Sequence, residues 1–417
     1  MGKRLLRRCL ITAINGAQMV IFKPFNGLIP SLDPEEDISQ RISPPYDVID
    51  DHELEELRAD PFNVTRITLN PQEGRYLQAG KELMGWISSG KLKQDEEASF
   101  YLYQQSFLND GRRLTRTGLV GLLSLEPYDN RMVIPHEETI SKVKEDRLRL
   151  LEDTETHSES IFGLYHHSEI PIEELLSSSE KLFETEDHDA VVHSFHRISD
   201  PEMVSRIQSM MMSRTVLIAD GHHRYETALK YSQEHDEEEE KGFVLATLVS
   251  SDDQGMILLP THRLLSDLDM DEEELLERMR ERLIVESMDD FPSLRSRVAE
   301  KEHMGFGLIT RSRRMYYAFL EELPSESVLW AIDAYACQEI IFKSVLGDKI
   351  FNIEYEESCE KARNKVMRGR SDLAILLGSP KLDEIWKIAG EGIKMPKKST
   401  FFYPKIWSGF VYYSMSR

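Results

Sequence analysis

Thr215-Val216-Leu217-Ile218-Ala219-Asp220-Gly221-His222-His223-Arg224-Tyr225-Glu226 is the stretch on which the reading of this chain turns. Its first five residues form a short apolar, β-branched run, the pattern of a buried strand. Asp220-Gly221 breaks that run, and residues 225–233 then take helical spacing. A glycine between strand and helix lets the backbone approach a ligand and adopt angles closed to other residues. The N–H groups of a helix start carry partial positive charge and make an anion site. Arg224 adds a bidentate fork suited to phosphate. His222 and His223 can donate to phosphate or relay a proton near neutral pH. Adjacent histidines point different ways, so they are not read as a two-ligand metal site.

Outward from this segment the elements are mixed. Residues 20–29 read as a strand ending in a turn, and Ser43-Pro44-Pro45-Tyr46-Asp47-Val48-Ile49 is held extended by its prolines. A short helix is expected over 50–58 with Asp50 or Asp51 as cap. Alternation predicts a half-buried strand over 63–69. Asn109-Asp110-Gly111 between two β-rich runs predicts a hairpin over 100–125. A helix is expected over 142–155 and a strand over 161–165. A second hairpin over 243–259 would turn at 252–255. Beyond residue 266 the texture becomes more helical, with the longest amphipathic run over 328–346. This order predicts an α+β fold, not regular βαβ units. The expected organisation is a leader or over-called start over 1–18, a core over 19–265 and an α+β C-terminal domain over 266–417.

The chain has 417 residues, enough for two domains or more, with 51 basic against 74 acidic residues and a net charge of −23. So acidic a surface opposes binding to nucleic acid or anionic membranes. Cys9, Cys337 and Cys359 have no metal-ligand spacing and read as reduced thiols. No apolar run reaches the length of a membrane span. A cytoplasmic location is the expectation, and the oligomeric state, a homo-oligomer included, stays open.

Four other constellations bear chemistry. Pro135-His136-Glu137-Glu138-Thr139, followed by Lys142, Lys144, Glu145, Asp146 and Arg147, offers an acid/base histidine and carboxylates. Pro260-Thr261-His262-Arg263 ends a strand with anion-competent side chains. Tyr46 and Asp47 lie on a rigid loop able to line a pocket. Lys397, Lys398 and Lys405, with nearby aromatic residues, suit a phosphate and a stacked base. The standard P-loop, dinucleotide and hydrolase signatures are absent.

Taken in order, Ser43 to Ile49, Asn63-Val64-Thr65-Arg66-Ile67, His136-Glu137 with Lys144 to Leu148, Ala219 to Ala228, Leu259 to Arg263 and Met395 to Phe401 with Tyr403-Pro404-Lys405 resemble the motifs of domain of unknown function 1015. More distantly, the Asp-Gly-His-His-Arg motif is similar to the phosphate-contacting motif of the ParB/sulfiredoxin superfamily, which includes free-serine kinases. That resemblance implies a ParB/sulfiredoxin-like mixed α/β core, with Gly221, His223 and Arg224 as phosphate binders. Asp220 and His222 become metal-facing or acid/base candidates. Sulfiredoxins carry a catalytic cysteine in this motif where the present chain has a histidine, so sulfinic-acid repair is not expected.

The resulting expectation is a phosphotransferase that uses ATP or ADP, with Mg²⁺, on a small polar metabolite. Asp220, His222, His136, Glu137 and Asp146 are its acid/base or metal-facing candidates. Tyr46, Asp47, Arg66, Thr261, His262, Arg263, Lys398 and Lys405 are expected to line the substrate pocket. A nucleotide-binding regulatory protein without metabolite turnover and a metal-dependent hydrolase are the alternatives.

Overall fold

The computed structural model describes residues 13, 14, 17–70, 74–139 and 141–416. Most of the expected leader over 1–18, Cys9 included, lies outside the described residues. The chain divides into two units. Met1–Pro135, Thr139–Met256 and Pro404–Arg417 make the first; His136–Glu138 and Ile257–Tyr403 make the second. The expected boundary at 265/266 thus falls at 256/257, and the last fourteen residues belong with the first unit.

In the first unit a sheet runs in the order Glu180–Glu186, Val192–Ile198, Phe100–Asn109, Arg112–Ser124, Phe243–Ser250, Ile161–Tyr165, Val216–Asp220, Val133–Ile134. The hairpin around Asn109-Asp110-Gly111 forms, pairing Asn109 with Arg112. Two of the pairings are parallel: Ile161–Tyr165 with Phe243–Ser250, and Val216–Asp220 with Val133–Ile134. Ile161–Tyr165 pairs antiparallel with Val216–Asp220, and the register shifts between Phe162 and Gly163, directly opposite Asp220. Gly163 is required there, because a Cβ would stand 2.6 Å from Leu248 and 2.8 Å from Val216. Val216, Ile218, Tyr225 and Ala228 bury their side chains in the main core, fastening the strand and the helix on either side of the turn at Gly221. The helix Ser141–Thr154 packs on His222–Glu234 and on Arg75–Ser88.

In the second unit an antiparallel sheet runs in the order Ile284–Met288, Met315–Phe319, Gly305–Thr310, Leu373–Leu376, His262–Ser266, Asn352–Glu356. Its own core gathers Leu264, Leu294, Ile309 and Leu376. Sheets largely antiparallel, with helices beside them, give the α+β mixture that the pattern predicts. No described helix is long and apolar enough to cross a membrane.

Three local expectations are corrected. Residues 63–69 are not a strand: Thr65–Thr68 is helical, and Asn63 Oδ1 accepts from the Thr65 amide at 2.9 Å and its hydroxyl at 2.7 Å. The fully buried pair Val64 and Ile67 lies three apart, which is helical spacing that alternation imitates over so short a run. Residues 243–259 are not a hairpin. After Phe243–Ser250 the turn packs on the neighbouring strand, where the Thr117 amide donates to Asp253 at 3.0 Å, and Ile257–Leu259 pairs with Phe401–Tyr403 instead. The long run over 328–346 is broken at Ile332, whose φ of −101° and ψ of 111° are extended, and Cys337–Leu346 winds as a wider π-helix.

Candidate functional site

Val216 to Ala219 are buried along their strand, and Asp220 is its last residue. Gly221 follows in the left-handed region, with φ of 87° and ψ of 26°, and His222–Glu234 starts at once with no side chain capping it. Arg224 folds back over the turn, its guanidinium 3.2 Å from where a Cβ on Gly221 would lie, and the positive φ is one that glycine adopts without strain. His222, His223 and Arg224 therefore occupy the first helical turn, three residues before the start that the spacing of 225–233 suggests. His222 is buried and His223 half-buried, as expected of neighbours about 100° apart around a helix.

Asp220 is held from two sides. Its Oδ1 accepts the Gly221 N–H at 2.6 Å, and its Oδ2 accepts Lys405 Nζ at 2.8 Å. Burial works to raise this carboxyl, but Lys405 and Arg224 outweigh it and hold Asp220 below the ordinary carboxylate range. It is a fixed anion, unsuited to taking a proton near neutral pH.

Arg224 donates to the Ser160 carbonyl. Burial would lower its pKa, yet Glu159, Asp220, Tyr46 and Asp47 around it raise it, so the guanidinium stays charged. The Tyr46 amide donates to Glu159 Oε1 at 3.4 Å, and the Tyr46 ring lies 4.2 Å from the Arg147 guanidinium. Burial pushes the Tyr46 hydroxyl upward, which keeps it neutral and able to donate. Arg147 reaches Glu159 at 3.8 Å and donates to the Thr68 carbonyl at 3.0 Å. The structure thus joins the Pro-Pro-Tyr-Asp loop to the Asp220–Arg224 turn through Glu159 and Arg147.

Two expected members are engaged elsewhere. Asp146 is bound by Arg75, by Tyr76 Oη at 2.7 Å and by Arg147 at 3.0 Å. Arg66 donates to the carbonyls of Asp60 and Arg58, each at 3.1 Å, bracing its own loop.

The remaining candidates fall in the second unit. His136 is fully buried, its Nε2 2.9 Å from Thr400 Oγ1. Glu137 accepts the Lys398 amide at 2.9 Å. Arg263 donates to the Lys398 carbonyl at 2.9 Å and to the Thr261 carbonyl at 2.5 Å. His262 Nδ1 accepts the Leu377 amide at 3.2 Å, and burial lowers its pKa from 6.5 to about 4. Thr261 is buried beside them. Here Glu137, Arg263 and His262 are matched to backbone of their own unit, and His136 to a hydroxyl.

Glu159 and Ser160 are site members that the sequence reading does not single out, and Arg147, named there only beside His136 and Glu137, joins them. Their signal was a carboxylate set immediately before an apolar strand, and that strand lies beside Val216–Asp220. Among the described residues no three His, Cys, Asp or Glu side chains come together as metal donors would.

A family described as protein of unknown function, DUF1015, matches residues 22–335. No curated protein matches the chain. Similar solved structures include a free serine kinase mutant in complex with ADP, 15% identical, covering 65% of this chain and 84% of that one, with a TM-score of 0.37. A conserved hypothetical protein from Pyrococcus furiosus is 15% identical and covers 66% and 89%, with a TM-score of 0.35. SbnI from Staphylococcus aureus, truncated at its C-terminus, is 10% identical and covers 69% and 85%, with a TM-score of 0.36. Scores so low assign no activity to this chain.

Proposed function

We propose, for a chain that belongs to the DUF1015 family of proteins of unknown function, that its first unit is a nucleotide-dependent phosphotransferase acting on a small polar metabolite. The observation that carries this reading is Arg224 folded over a left-handed Gly221 at a helix start that no side chain caps. Helix-start amides and a guanidinium held charged are the two donors phosphate recognition uses most. Gly221, His223 and Arg224 would hold the phosphates, with His222 beside them.

Asp220 would act as a fixed charge, because Lys405 and the Gly221 amide already bind it. Proton transfer from the acceptor would then fall to Glu159 or Asp47, the carboxylates that face Arg224. Tyr46 would line the acceptor side. Mg²⁺, when bound, would neutralise phosphate charge; with phosphate oxygens and water as its other ligands it needs only one or two carboxylates, which the same pair could supply.

The test is a thermal-shift screen of ATP, ADP, CTP and GTP with Mg²⁺, followed by a search for phosphate transfer to hydroxyl-bearing metabolites. A nucleotide at 100 times its dissociation constant should add about 2.7 kcal/mol of stability. Binding with transfer supports the proposal, and binding without transfer to any acceptor would favour the regulatory alternative. No shift with any nucleotide refutes both.

A further inference from the structure

The segment from Pro404 onward belongs to the first unit and is mostly buried there, held by groups of the main sheet. Gln105 Nε2 donates to the Lys405 carbonyl at 2.7 Å. Arg116 donates to the neighbouring Pro404 carbonyl and also to Gln105 Oε1. Two residues on, the Trp407 amide lies 3.4 Å from Tyr103 Oη. Gln105 and Arg116 are each 1% exposed, on adjacent strands of the main sheet. The Arg116 guanidinium stands 4.9 Å from the Phe162 ring, and Phe162 is paired with Asp220 across the register shift.

A buried arginine is costly, and large charged side chains are seldom fully buried without a partner that requires them. This one, together with Gln105, grips two consecutive carbonyls of the C-terminal segment. The consequence is local: Lys405 is delivered to Asp220, 185 residues away in sequence, with Nζ 2.8 Å from Oδ2.

We propose that Lys405 is a second phosphate-binding cation beside Arg224, and that Gln105 and Arg116 are positioning residues that hold its segment there; the phosphate role rests on the reading above. A lysine suits the task, since an ammonium carries three donors and can hold Asp220 and a phosphate oxygen together. Asp220 then sets the distance between the two cations, as it lies close to both. The helix start becomes dependent on residues more than 180 positions downstream.

The experiment uses the full chain and the variants Lys405→Met, Lys405→Arg and Gln105→Met, with two readouts. Without nucleotide, acetic anhydride labelling of Lys405 is followed by mass spectrometry against the other lysines. Its ion pair should slow labelling in wild type, and Gln105→Met should speed it several-fold. With Mg·ATP, calorimetry should show Lys405→Met binding roughly tenfold to a hundredfold more weakly, as for loss of one charged hydrogen bond. Lys405→Arg should recover part of that loss, and Gln105→Met should fall between.

Unchanged labelling in Gln105→Met overturns the positioning role. Wild-type affinity in Lys405→Met overturns the phosphate role. Should Gln105→Met fail to fold, Lys405→Met still decides, since its side chain is partly exposed. If wild type binds no nucleotide, the proposed function and the phosphate role fall together, while the labelling still judges the positioning role alone.

Discussion

The two units use the same residue types for opposite ends. In the first, Asp220 pairs with Lys405, and Arg224, besides donating to the Ser160 carbonyl, is faced by the carboxylates of Glu159, Asp220 and Asp47; Lys405 and Asp220 keep partial exposure. In the second, His136, Glu137, His262 and Arg263 are turned inward on backbone amides, carbonyls and a hydroxyl. Side chains matched only to fixed backbone hold a loop in shape, whereas cations that also face carboxylates at a helix start can exchange part of that pairing for a ligand. Motif chemistry alone does not separate these cases; the partner of each polar atom does.

The sharpest way to break this contrast is Arg263→Ala. Two carbonyls would lose their donor and a buried side chain its volume, so stability should fall by roughly 3–5 kcal/mol, read as the urea midpoint. A loss below about 1 kcal/mol would mean that Arg263 is no scaffold.

Next comes pH. Folded His262 is neutral because burial lowers its pKa from 6.5 to about 4. Between those values the unfolded chain binds the extra proton, so stability is lost as pH falls from about 6.5 towards 4, by up to about 3 kcal/mol. His262→Asn should flatten part of that slope. His157, lowered to about 4 by burial in the first unit, and His196, also lowered by burial, keep part of it. Equal slopes in wild type and variant would remove the buried neutral histidine from the account.

Arg224→Ala should behave differently from Arg263→Ala. The unliganded protein should lose about 1.5–3 kcal/mol, as for one charged hydrogen bond, while at least half of the nucleotide-induced stabilisation of about 2.7 kcal/mol is lost. Smallest is Gly221→Ala. A left-handed alanine costs about 1–2 kcal/mol, and its Cβ would press on the guanidinium, so differential scanning should show a modest drop with weakened nucleotide binding.

What was legible in the sequence was local. Asn109-Asp110-Gly111 announces its turn, Asp50 caps its helix through the Glu53 amide, and Val216 to Gly221 reads as strand and break without outside information. Where chemistry depends on long-range pairing, the pattern is silent. Nothing near Ile257 says that its partner is Tyr403, and nothing near Asp220 says that Lys405 will reach it. Glu159 was overlooked because one carboxylate before a strand resembles many solvated ones until its neighbours Tyr46 and Arg147 are known. The partners that Asp146 and Arg66 find in the fold were equally invisible.

The central claim is that the turn at Gly221 and Arg224 is a phosphate site while the cluster at Arg263 is scaffold. Calorimetric titration of Mg·ATP into wild type, Arg224→Ala and Arg263→Ala, each checked to be folded at the temperature used, tests it most directly. The account expects wild type and Arg263→Ala to bind alike and Arg224→Ala to bind at least tenfold more weakly, a difference of about 1.4 kcal/mol. Equal affinity in wild type and Arg224→Ala, or loss confined to Arg263→Ala, would contradict it.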